Sequence, residues 1–155
     1  MTAAIKSLFE NIIFLSTVTS LCAAQVFKMI FYLITSKTRS TQEAVETMMW
    51  RTGGMPSSHS AIVCALATST GISKGIDSEF FIFSLVFAMV VLRDSMGVRR
   101  AAGLQAKALN NLGKQTMEKN GIIFNPVKEI QGHTPLEIIV GALLGILIAI
   151  IFKFI

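Results

Sequence analysis

Four apolar runs constrain this chain more than any other feature. They extend from about Leu8 to Ile34, from Ser60 to Ile72, from Phe80 to Leu92, and from Leu136 to the C-terminus. A bilayer-crossing helix needs roughly 20 mostly apolar residues. The first and last runs reach that length. The second, SAIVCALATSTGI, and the third, FFIFSLVFAMVVL, are shorter and need their flanks or a bundle interior. Small residues in the second run let helix backbones approach closely, as does the GxxxG spacing of Gly141 and Gly145. Composition agrees. Charged residues make up 15% and hydrophobic residues 52%, whereas a soluble domain carries about 25% charged residues. So little charge excludes disorder, and 3 Pro, 11 Gly and 2 Cys exclude collagen-like and disulfide-framework proteins. The expected fold is an all-α integral membrane bundle of about four transmembrane helices plus amphipathic interfacial helices, a single membrane domain over residues 1–155.

The stretch SLCAAQ has a faint likeness to a signal-peptide cleavage site, but VFKMIFYLI resumes the apolar run at once. A retained helix is therefore expected. Cys22 and Cys64 lie in apolar runs without metal-ligand spacing and read as buried free thiols.

Two polar stretches separate the runs. Residues 35–56 contain a short helical pattern, TQEAVETMMWR. Residues 93–132 contain VRRAAGLQAKALNNL, with apolar positions 98, 101, 102, 108, 109 and 112, an amphipathic helix expected to end near Asn120-Gly121. Residues 73–79 form a tight Gly-containing turn. With four spans, both termini share one side and the two polar stretches share the other. That other side holds 10 Lys and Arg, against Lys6, Lys74 and Lys153 opposite. Cytoplasmic loops carry the excess of basic residues, so the polar stretches are expected to face the cytoplasm, most simply across a bacterial inner membrane. The net charge of +5 fits phosphate and bilayer surfaces; one Trp and one Tyr leave little for stacking on nucleic acid.

Chemistry gathers on that side. The chain has two histidines, His59 in GGMPSSHS and His133 in GHTPLE, each at the start of an apolar run. In the first motif Gly53 and Gly54 permit close backbone approach. Pro56 suits a first helical turn, and Ser57 or Ser58 can cap it, which aims N–H groups and the helix dipole at an anion. In the second, Thr134, Pro135 and Glu137 make a capping box. His133 and Glu137 are also four residues apart, so the carboxylate can instead fix the imidazole tautomer. The third element is RDSMGVRR. Arg99 and Arg100 suit bidentate phosphate recognition, or are a solvated basic flank. Asp94 either holds an arginine or positions a metal, although His59, Asp94 and His133 lack any local ligand spacing. Lys28 sits within the first apolar run, where a charge is either functional or snorkels to the nearby face.

Together GGMPSSHS, DSMGVRRAAGLQAKALN and GHTPLEIIVGALLG resemble the divergent small membrane branch of the type-2 phosphatidic acid phosphatase and vanadium haloperoxidase superfamily, found in bacteria and plants. The likeness runs from Gln25 onward. It implies that His133 is the nucleophile, that His59 is the general acid, and that Glu137 orients His133 in place of the family's Asp. Ser58 stands where the family has Gly. Lys28 and Arg51 match its first motif, although Pro does not follow Arg51. Val127 and Lys128 occupy the place of the family's Ser-Arg, so Arg99 or Arg100 would supply that cation from another direction. The implied reaction is hydrolysis of a lipid or isoprenoid phosphate monoester through a phosphohistidine, without cofactor or metal. The short inner runs suggest a partner, either a second copy in a homo-oligomer or another protein. The rival reading is a non-catalytic phosphate- or lipid-binding protein, or a carrier, that keeps the phosphate cradle.

Overall fold

A computed structural model describes residues 2–35, 54–121, 123–129 and 132–155, and the regular structure among them is entirely helical. Its helices are α1 (Thr2–Phe9), α2 (Ile12–Thr35), α3 (Ser58–Lys74), α4 (Glu79–Met96), α5 (Val98–Asn120) and α6 (Pro135–Lys153). The helical pattern TQEAVETMMWR, together with Arg51 and Gly53, lies outside the described residues.

The first apolar run divides. Helix α1 ends before Asn11, whose side-chain oxygen accepts from the backbone N–H groups of Ile13 (2.9 Å) and Phe14 (3.3 Å). That N-cap lets α2 start afresh. The turn after α3 follows its sequence signals. Gly75 takes a φ of +90°, a conformation that glycine adopts without strain. Ser78 then caps α4 by accepting from Phe81 N at 3.2 Å. Gly97 marks the break between α4 and α5, and Gly121 ends α5 in the left-handed region at φ +67°.

Among the described residues, α2, the α4–α5 run and α6 are long and apolar enough to cross a membrane. Helix α3 has 17 residues, about 25 Å at 1.5 Å per residue. It forms the middle of the bundle, packing against α2, α4 and α6, and every residue from Ser60 to Thr70 is buried or half-buried. Of the four spans expected, it alone falls short of the usual length, because its neighbours cover it.

Packing is inverted relative to a soluble protein. Small residues face inward: Ser16, Ser20 and Ala24 on α2, Gly141, Gly145 and Ala149 on α6. Large ones such as Phe83, Val90 and Leu143 face outward, each more than half exposed. Lipid is as apolar as leucine, so association rests on close backbone contact rather than on hiding large side chains. The glycines of α6 provide it. A Cβ on Gly141 would strike the Ser57 carbonyl, and one on Gly145 would strike the Ala61 carbonyl. These pairs ascend together, so α3 and α6 run parallel and begin at the same end of the bundle.

The same one-sided packing corrects one expectation. Cys22 is exposed on α2 and Cys64 is half-buried on α3; both are free thiols. A helix at the rim of a thin bundle buries a single stripe, and Cys22 lies off it.

Candidate functional site: two helix entrances

At the entrance to α3, Ser57 is the N-cap. Its Oγ accepts from Ser60 N at 3.3 Å and from the Ser60 hydroxyl at 3.0 Å. Pro56 stands immediately before the N-cap rather than in the first helical turn. Gly54 takes a φ of +107°, and a Cβ there would lie 3.1 Å from Lys28 Cε. The glycine therefore makes room for the lysine stem as well as for the backbone conformation. Ser57 and Ser58 are buried, whereas His59 is exposed at the mouth of the helix. The first-turn N–H groups point out of the helix end, where the dipole favours negative charge.

At the entrance to α6, both readings of GHTPLE hold at once. Thr134 Oγ1 accepts from Glu137 N at 3.4 Å, and Glu137 Oε2 accepts from Thr134 N at 3.1 Å, which completes the capping box with Pro135 in the first turn. The same Oε2 lies 3.0 Å from His133 Nδ1. Where the carboxylate is ionised it can only accept, which makes Nδ1 the donor and, in a neutral ring, leaves the lone pair on Nε2. His133 is 5% exposed, so its ring is held within the bundle end.

The two entrances are joined. Ser57 N donates to the Glu137 carbonyl at 3.0 Å, a main-chain bond made possible by the close α3–α6 approach. The His59 and His133 ring centroids are 6.3 Å apart, with the planes tilted by 57°. The third motif arrives through α5. Gly132 packs on the backbone of Arg100, with no room for a Cβ. Arg99 Nε donates to Asp94 Oδ2 at 2.6 Å. Arg99, His133, Lys28 and Asp94 all lie within electrostatic range of His59, and Glu137 lies within range of Lys28. Lys28, though on a membrane helix, is 4% exposed and turned into the bundle.

The structure therefore brings together Lys28, Gly54, Ser57, Ser58, His59, Asp94, Arg99, His133 and Glu137. Arg100 contributes its backbone beside Gly132, and its side chain is exposed. Of the two readings of Asp94, the contact made is with Arg99. Among the described residues no group of three or more His, Cys, Asp or Glu is placed to hold a metal ion. Sequence reasoning missed the Ser57–Glu137 main-chain bond, which has no side-chain signal. It also missed buried Asn110, whose amide donates to the Val127 carbonyl and Glu129 Oε1 and whose oxygen accepts from Val127 N, each at 2.9 Å. A polar Asn110-Asn111 pair within an amphipathic pattern was the available clue.

With histidine, carboxylate, lysine and arginine gathered at the entrances of two parallel helices, the relationship to known proteins can be read. The pattern of the divergent PAP2 family matches residues 9–148. The chain belongs to the divergent PAP2 family. A membrane protein of Bacillus subtilis (strain 168), the uncharacterized YuiD, is 34% identical over 161 residues, covering 95% of this chain and 97% of the relative. No solved structure matches the chain. Membership of the divergent PAP2 family accords with the membrane bundle, and the match spans both histidine motifs.

Proposed function

We propose that this divergent PAP2 protein hydrolyses a phosphate monoester of a lipid or isoprenoid. The observation that carries the reading is the separation of the two imidazoles, 6.3 Å between ring centroids. Each nitrogen must come within about 3 Å of the atoms it serves, so one phosphoryl group fits between the rings. His133 Nε2 attacks phosphorus. A phosphorus–nitrogen bond forms as the ester phosphorus–oxygen bond breaks, and His59 gives its proton to the departing alcohol oxygen. His59 then takes a proton from water, whose oxygen attacks phosphorus, and inorganic phosphate leaves as His133 is restored. Glu137 keeps Nδ1 protonated and balances the positive ring. Lys28 and Arg99, with Arg51 and Arg100 from the flanking stretches, neutralise the phosphoryl oxygens, and the glycine and serine turn at 54–58 supplies N–H groups. No metal enters the scheme. The excess of basic residues in the polar stretches supports a cytoplasmic orientation of this face, at a bacterial inner membrane.

One observation favours a second reading, a non-catalytic phosphate- or lipid-binding protein. Val127, at the position of the family's Ser-Arg pair, is tied to Asn110 instead. Purified protein in micelles, offered long-chain alkyl phosphates with and without EDTA, separates the two. Release of inorganic phosphate insensitive to chelator is expected. Saturable binding without release would establish the second reading.

A further inference from the structure

An apolar groove of about 280 Å³ opens on the side of the bundle between α2 and α6. Its walls include Phe27, Phe31 and Ile34 of α2, Pro56 of the turn, and Val140 and Leu144 of α6. Every one of these three pieces of chain also provides a polar group of the histidine site. Phe27 precedes Lys28, Pro56 precedes Ser57, and Val140 follows Glu137 by about one helical turn. Groove and site therefore share their walls, one side polar and one side apolar.

The groove's depth is also informative. Phe27 sits at the level of Lys28, and Leu144 lies about 10 Å along α6 from Glu137, at 1.5 Å per residue. A single leaflet of hydrocarbon is about 15 Å thick. The groove thus begins beside the site and reaches well into one leaflet. Phe27 and Phe31 are about half exposed, so it is open sideways to lipid.

We propose that this groove holds one hydrocarbon chain of the lipid whose phosphate lies at His59 and His133. This rests on the phosphate-site reading for the identity of the head group. The volume is at the small end for a ligand site, which suits one chain. A second chain, where the lipid has one, stays in the bilayer. The shared walls would hold the ester oxygen at the histidines while the chain fixes its approach.

A long-chain alkyl phosphate carrying a diazirine at mid-chain tests this with the full-length protein in micelles. Cross-links are expected on the segments 27–34 and 140–144. Competition by unlabelled alkyl phosphate should exceed that by the alcohol lacking phosphate. Leu144→Trp, which fills the groove, should lower this labelling about tenfold or more, the scale on which apolar pocket contacts discriminate ligands. Should Leu144→Trp fail to fold, the wild-type label map decides alone. Labelling centred on other lipid-facing residues such as Phe83 and Val90 would overturn the proposal. So would an unlabelled groove with a Phe31→Cys disulfide dimer, which would make the occupant a second copy. Phosphate release is measured in parallel. Groove labelling without release would remove the phosphatase reading and keep the groove; release with labelling elsewhere would do the reverse.

Discussion

Glu137→Gln separates the two jobs of this carboxylate, because both rely on the same atom. Oε2 accepts from Thr134 N at 3.1 Å and lies 3.0 Å from His133 Nδ1. A glutamine oxygen in that place can accept both bonds, so the change removes charge and little geometry. Capping boxes accept Gln at this position, and the folded state should lose less than about 1 kcal/mol. The catalytic effect should be larger. A hydrogen bond to a charged group contributes about 1.5–3 kcal/mol and one to a neutral group about 0.5–1.5 kcal/mol, so exchanging carboxylate for amide forfeits about 1–1.5 kcal/mol. That loss slows turnover roughly 5- to 13-fold at about 1.4 kcal/mol per decade. The assay pairs kcat for an alkyl phosphate with the thermal midpoint in the same detergent. Glu137→Ala, which removes the cap as well, should lower both. Wild-type turnover in Glu137→Gln, with a fall in stability in Glu137→Ala, would reduce Glu137 to a capping residue and refute the pairing argument.

His59→Ala should slow hydrolysis of an alkyl phosphate about 10²- to 10⁴-fold, as expected for a lost general acid, and recover part of that loss with nitrophenyl phosphate, whose leaving group needs no proton. Equal losses on both substrates would deny His59 that role. Gly145→Ala drives a methyl into the Ala61 carbonyl, and should cost about 1–3 kcal/mol in a denaturant titration in micelles. Leu143→Ala, on the lipid-facing side, should stay within about 0.5 kcal/mol; equal losses would mean that the close α3–α6 approach is unimportant. Lys119→Cys, in a background lacking Cys22 and Cys64, should react with an impermeant thiol reagent only after cells are opened. Labelling of intact cells would reverse the orientation.

Much of this architecture is legible in the sequence because membrane packing leaves plain marks. The runs at 60–72 and 80–92 lie within α3 and α4, the run from 136 is helical in α6 as far as Lys153, and Asn120-Gly121 ends α5 as its turn chemistry requires. The split at Glu10-Asn11 was harder to read, since an N-cap inside an apolar run hardly alters its hydropathy. Both histidines fall at helix starts for reasons visible in their flanks: Ser57 caps one helix, and Thr134 with Glu137 caps the other. What sequence cannot display is how two such starts meet. That depends on Gly141 and Gly145 lying against Ser57 and Ala61 and on a main-chain bond from Ser57 to Glu137. The GxxxG spacing announces a close contact without naming the partner. The apolar groove is equally silent in sequence, because its walls come from three distant segments whose residues look like ordinary lipid-facing side chains.

The phosphohistidine tests the account most directly. Protein mixed with an alkyl phosphate, quenched within a turnover and digested at alkaline pH should carry an acid-labile phosphoryl group on His133 alone. It should be absent from His133→Ala and accumulate when His59→Ala slows the second step more than the first. Inorganic phosphate released from wild type with no phosphoryl group trapped on His133, or undiminished release from His133→Ala, would contradict it.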